Sequence, residues 1–77
     1  MALLIGIDIG TTNTKVGLYD DRGRERAVSS RPTVSHRHPD GFSYYDPEEM
    51  WTNIAAAIRE AVARAEAAEP GAAGRIR

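Results

Sequence analysis

The sequence predicts an α/β fold: an antiparallel three-stranded β-meander followed by one amphipathic helix, together an incomplete piece of a larger domain. Three observations carry that expectation. Two short extended segments flank a turn at residues 10–13, an Asp20-Asp21-Arg22-Gly23 turn leads into a third, and a one-sided apolar repeat opens at Asp46-Pro47.

Side chains alternate along a strand, so the first segment, residues 3–9 (LLIGIDI), sends Leu3, Ile5, Ile7 and Ile9 to one face and Leu4, Gly6 and Asp8 to the other. Apolar residues on both faces predict a strand covered on both sides. Residues 14–19 (TKVGLY) form the second strand, with Val16 and Leu18 on one face and Lys15, Gly17 and Tyr19 on the other. The two pair as a hairpin. In the next turn Asp20 bonds its own backbone and Gly23 supplies a positive φ. Residues 24–34 (RERAVSSRPTV) make a polar third strand, which Pro32 assigns to a sheet edge because it lacks a ladder N–H.

Residues 35–45 have no period and contain Pro39 and Gly41, which predicts a loop. A helix over residues 47–68 begins with Asp46 as N-cap, Pro47 at the first helical position and Glu49 completing a capping box. Tyr45 and Met50 are spaced to form a hydrophobic staple. Met50, Trp51, Ile54, Ala55, Ile58, Val62 and Ala65 recur at helical spacing, so Trp51 is expected in the core. Pro70-Gly71 ends the helix, and residues 71–77 (GAAGRIR) read as a linker-like tail. One helix covers only one face of a sheet. The bare face and the open edge of the first strand predict further strands and helices beside them.

The chain has 77 residues, 10 Lys and Arg against 11 Asp and Glu, a net charge of -1 and no cysteine. Near-neutral charge without a basic run argues against nucleic acid or an anionic membrane as a partner. Absence of cysteine excludes a disulfide scaffold, a thiolate zinc site and a thiol nucleophile. No segment reaches the ~20 apolar residues needed to span a bilayer, and the expected location is cytoplasmic.

Chemistry concentrates in Ile7 to Lys15 (IDIGTTNTK). Asp8 stands between two isoleucines, where a carboxylate is costly unless it is bonded, paired or serving a cation. Gly10 permits close backbone approach, and Thr11, Thr12 and Asn13 bring donors to the tip of the hairpin. Lys15 shares its face with Gly17, which leaves room for an anion. A carboxylate for Mg²⁺, a glycine-hydroxyl turn for phosphate oxygens and a lysine for their charge make a minimal phosphate clamp. The same composition is also that of an ordinary turn whose Asp bonds backbone amides, and spacing alone leaves both readings open.

The segment IGIDIGTTNTKVGLYD resembles the first phosphate-binding motif of the superfamily of actin, heat-shock chaperones and sugar kinases, whose RNase H-like domains clasp ATP between two lobes. GFSYYDPEEMWTNIAAAIREA resembles the first helix of the FGGY carbohydrate kinases, which phosphorylate sugars and polyols. The resemblance is strongest at residues 5–20 and 44–62. It implies that Asp8 holds Mg²⁺ through water, that Gly10, Thr11, Thr12 and Asn13 form the turn at the nucleotide phosphates, and that Lys15 neutralises them. It also implies ATP as co-substrate and a catalytic base beyond residue 77, so the isolated chain is expected to be inactive. Many members of that family carry Gly-Trp-Val-Glu-Gln-Asp-Pro before the helix. Here Gly41-Phe42-Ser43-Tyr44-Tyr45-Asp46-Pro47 departs from it, and the sugar is left unspecified.

Other residues read as structural. His36 and His38 lack a third metal ligand and belong to a solvated loop, and Arg22, Arg24 and Arg26 are balanced by Asp20, Asp21 and Glu25 at a solvated hairpin end. Two alternatives accompany the kinase: an actin-like or chaperone-like ATPase piece, and a non-catalytic module that self-associates through the first strand.

Overall fold

Residues 2–77 are described in the computed structural model. Strands β1 (Leu3–Ile9) and β2 (Asn13–Asp20) pair antiparallel from Leu3↔Asp20 to Ile9↔Thr14, and β3 (Glu25–Pro32) pairs on the other side of β2. The sheet order β1-β2-β3 is the expected meander, with β2 in the middle and Pro32 ending an edge strand. At the β2–β3 turn the amides of Arg22 and Arg24 donate to Asp20 Oδ1, both at 2.9 Å, and Gly23 has φ 80°.

A register shift after Leu18 changes which residues meet. Leu18 faces Ala27 and Tyr19 faces Glu25, so Arg26 is the extra residue of a β-bulge. A bulge re-aims the side chains around it. Arg26 turns to the helix side and contacts the carboxylates of Asp20 at 3.5 Å and Glu69 at 2.9 Å, while Arg75 bonds Glu69 at 2.9 Å. The arginine alternation is thus not simply a solvated hairpin end: Arg26 ties the turn to the end of the helix.

Helix α1 (Pro47–Ala68) starts as expected, with Asp46 accepting from the amides of Glu48 at 2.9 Å and Glu49 at 3.4 Å. Its capping box is only half formed, because the Glu49 carboxylate pairs with the His36 ring. The buried stripe is Ala57, Ala61 and Ala65, which pack on Val16, Leu18 and Leu3, with Ile5, Ile58 and Val62 at the margins. Small residues let the helix lie close over β2 and β3. On the β3 side, Asn53 and Arg64 reach the edge strand, with Arg64 donating to the Val28 carbonyl at 2.6 Å.

Trp51 lies outside that contact. The core runs along the alanines, so the outer flank of the apolar stripe overhangs the sheet, and Trp51 is 66% exposed rather than buried. Ile7 and Ile9 of β1 are about half exposed for the same reason.

Two further segments differ from the expected loop and linker. Within residues 35–45, β4 (His36–Arg37) and β5 (Ser43–Tyr44) form a minimal hairpin, on which His36 stacks with Tyr44 and His38 with Phe42. Beyond the helix, Gly71 at φ 93° reverses the chain into a 3₁₀ turn (Ala72–Arg75) that buries Ala72. Ile76 then forms a parallel bridge with Leu3, and the Arg77 amide donates to the Leu3 carbonyl at 3.0 Å. Apolar Ala72 and Ile76 give the tail a docking face that its small, polar neighbours hid. The outer edge of β1 is therefore paired at Leu3.

Candidate functional site

Register places the segment of interest. Asp8 and Lys15 are cross-strand partners, as are Gly6 and Gly17, and both pairs stand on the sheet face opposite α1. Asp8 is exposed, and among the described residues its carboxylate enters no hydrogen bond or ion pair. The alternative of an Asp consumed by its own backbone is thereby not realised at this position. Lys15 is half-exposed, its Nζ 3.5 Å from Glu25 Oε1.

The turn between the strands is braced from β3. The Gly10 amide donates to the Asn13 carbonyl at 2.9 Å, and a Cβ on Gly10 would sit 2.9 Å from that oxygen, so the close approach needs glycine. Thr33 Oγ1 donates to the Gly10 carbonyl at 2.8 Å, and the Thr33 amide donates to the Thr12 carbonyl at 2.9 Å. A hydroxyl has one proton to give, so in the 2.9 Å contact between Thr14 and Thr33 the buried Thr14 hydroxyl is the donor. Thr14 and Thr33 are positioning residues that the sequence reading passed over. No local pattern signalled them, since Thr33 follows β3 and stands 23 residues from Gly10.

With its carbonyls held, the turn presents Thr11, Thr12 and Asn13 to solvent. The amides of Thr11 and Thr12 donate to no backbone acceptor among the described residues. Two amides without a backbone acceptor, two hydroxyls, a carboxamide and an unpaired carboxylate thus lie at or beside the hairpin tip, with Lys15 next to them in the ladder and its ammonium turned toward Glu25. Such a set can bind an anion that itself carries a cation.

A metal held by protein alone does not fit, because no group of three or more His, Asp or Glu that could hold one occurs among the described residues. Asp8 fits an ion that takes most of its ligands from water and phosphate, as Mg²⁺ commonly does. A recess of about 320 Å³ is lined by Leu3, Arg26, Ala65, Ala68, Glu69 and Ala72 and lies on the helix side of the sheet. Among the described residues no helix is long and apolar enough to cross a membrane.

Comparison with known proteins accords with this layout. The model of the N-terminal domain of the FGGY family of carbohydrate kinases matches residues 3–74. The glycerol kinase of Citrifermentans bemidjiense is 40% identical over 74 residues, and that of a Geobacter species 38% identical over 74. Each alignment takes in 96% of this chain and 15% of the relative. Glycerol kinase 5 of Gallus gallus is 34% identical over 59 residues, covering 77% of this chain and 11% of its own. The chain therefore spans roughly a seventh of the length of these relatives. A match over nearly every residue, including the hairpin, the helix cap and the tail, shows that the chain belongs to the FGGY family of carbohydrate kinases, within its N-terminal domain.

Proposed function

We propose that this chain supplies the first phosphate-binding hairpin of an ATP-dependent kinase acting on a sugar or polyol hydroxyl, within an RNase H-like lobe. The observation that carries the reading is the pairing of Asp8 with Lys15 beside an exposed turn whose Thr11 and Thr12 amides have no backbone acceptor among the described residues. Glycerol is the first acceptor to test, since relatives named glycerol kinase are up to 41% identical to this chain.

In that reading the amides and hydroxyls of Thr11 and Thr12, with the Asn13 carboxamide, orient the phosphates, and Gly10 lets the turn close behind them. Lys15 leaves Glu25 to neutralise phosphate charge, a small cost because exposed ion pairs contribute only about 0–1 kcal/mol. Asp8 would help to hold a hydrated Mg²⁺, which when bound would supply charge neutralisation at the transferring phosphoryl group. The residues of this chain orient and neutralise. Deprotonation of the acceptor hydroxyl has no candidate base among them, so the 77 residues alone are expected to be inactive. Dependence on ATP favours a cytoplasmic setting.

The reading is tested by ADP release from the complete protein with ATP, Mg²⁺ and a panel of polyols and sugars. Release that requires an added acceptor supports the kinase. Release without one would support an ATPase instead, and no release under either condition would overturn both. A second reading concerns the chain by itself: Leu4, Ile7 and Ile9 are about half exposed on an edge strand paired outside the hairpin only at Leu3. The isolated chain should self-associate through β1, and light scattering that finds a folded monomer would overturn this.

A further inference from the structure

The outer row of β2 runs Tyr19, Gly17, Lys15, and Tyr19 lies along it rather than standing off it. A methyl group on Gly17 would come within 2.5 Å of the Tyr19 hydroxyl oxygen and 2.7 Å of Cζ, and one on Gly6 within 3.0 Å of Cε2. The ring thus crosses the Gly6·Gly17 pair, and its hydroxyl end rests over Gly17. The next pair on that face is Asp8·Lys15. Residues two apart on a strand are separated by roughly 6.5–7 Å. The hydroxyl therefore stands about one such step from the backbones of Asp8 and Lys15, on the side to which the Lys15 side chain turns to meet Glu25. Tyr19 is half-buried, and its hydroxyl has no hydrogen-bond partner among the described residues.

An aromatic ring over glycines in a sheet has a purely structural use, since it covers backbone that glycine leaves bare. Phenylalanine would serve that use equally. A hydroxyl carried to the edge of an anion site adds a donor that covering does not need.

We propose that Tyr19 is a further phosphate-binding residue of this hairpin, its hydroxyl donating a hydrogen bond to a phosphate oxygen held beside Asp8 and Lys15. The inference rests on the kinase reading above and adds to it a residue outside the Ile7 to Lys15 segment. Two glycines facing each other across β1 and β2 are what give the ring its path. A side chain at either would push the hydroxyl away from the site.

Tyr19→Phe in the complete kinase tests it, because the ring is kept and only the donor is lost. Removing one such hydrogen bond is expected to raise KM for ATP about three- to tenfold. KM for the acceptor, the thermal midpoint and the affinity for adenosine, which has no phosphate, should stay at their wild-type values. Lys15→Ala, measured alongside, separates the two levels of inference. If Lys15→Ala weakens ATP and Tyr19→Phe does not, the role of Tyr19 is overturned and the hairpin reading stands. If neither variant changes KM for ATP, the hairpin reading fails and this one with it. Equal weakening of adenosine and ATP by Tyr19→Phe would assign the ring a structural role and overturn the proposal.

Discussion

Lys15 Nζ lies 3.5 Å from Glu25 Oε1, and the two residues meet because the bulge at Arg26 turns Glu25 to the outer face of the sheet. Glu25 thereby competes with any anion for the one lysine of the hairpin. Glu25→Gln should lower KM for ATP by about two- to fivefold, the range open to an exposed pair, and the gain should shrink as salt rises. Steady-state kinetics at two ionic strengths measure both. An unchanged or raised KM would show that Glu25 does not restrain Lys15.

Any side chain at Gly17 requires the ring of Tyr19 to move. Gly17→Ala would place a methyl group 2.5 Å from the hydroxyl oxygen, and displacing the ring should cost on the order of 1–3 kcal/mol. Urea unfolding checks the loss. Combining it with Tyr19→Ala removes the clash, so the second substitution should add less than it costs alone.

Acid should loosen the junction of turn, helix end and tail. The Arg24 amide, followed by the Arg22 amide and the charges of Arg24 and Arg26, holds the Asp20 carboxyl below the usual range, with burial opposing. A hydrogen bond from Arg26, then one from Arg75, does the same for Glu69. A carboxyl whose pKa is lower folded than unfolded contributes stability that is complete above its unfolded value and is lost as pH falls through the folded one. Stability should therefore decline below about pH 4, and Asp20→Asn should flatten that decline. Denaturation midpoints from pH 7 to pH 2 measure it, and equal slopes for the two proteins would contradict the assignment.

Packing of the helix rests on small residues. Ala61 is fully buried against the sheet, so Ala61→Leu should destabilise by about 1–3 kcal/mol. Ser29 behaves differently: its buried hydroxyl has no partner among the described residues, and Ser29→Ala should be neutral or stabilising by up to about 1 kcal/mol. Thermal unfolding distinguishes the two outcomes.

Elements governed by local chemistry were legible in the sequence. The strand alternation in LLIGIDI, the Asp-Gly turn and the Asp46-Pro47 cap each act over a few residues, and each appears as read. Features set by distant contacts were not. Trp51 follows the helical period, but which side of the stripe meets the sheet depends on the closeness that Ala57 and Ala61 allow. Arg26 reads as one of three alternating arginines until the bulge turns it inward. Thr33 braces the turn from 23 residues away, a relation no local pattern contains. At the candidate site the residue types were legible, whereas the pairing of Asp8 with Lys15 and the places of Glu25 and Tyr19 beside them came from register and side-chain direction.

The central claim is that the hairpin of Asp8, residues 10–13 and Lys15 grips the phosphates of a nucleotide. Calorimetric titration of Mg-ATP into the complete protein and its Lys15→Ala variant tests it most directly. Loss of a charge-assisted contact to phosphate should weaken binding by about tenfold or more while leaving adenosine affinity unchanged. Equal Mg-ATP affinity for the two proteins would contradict the account.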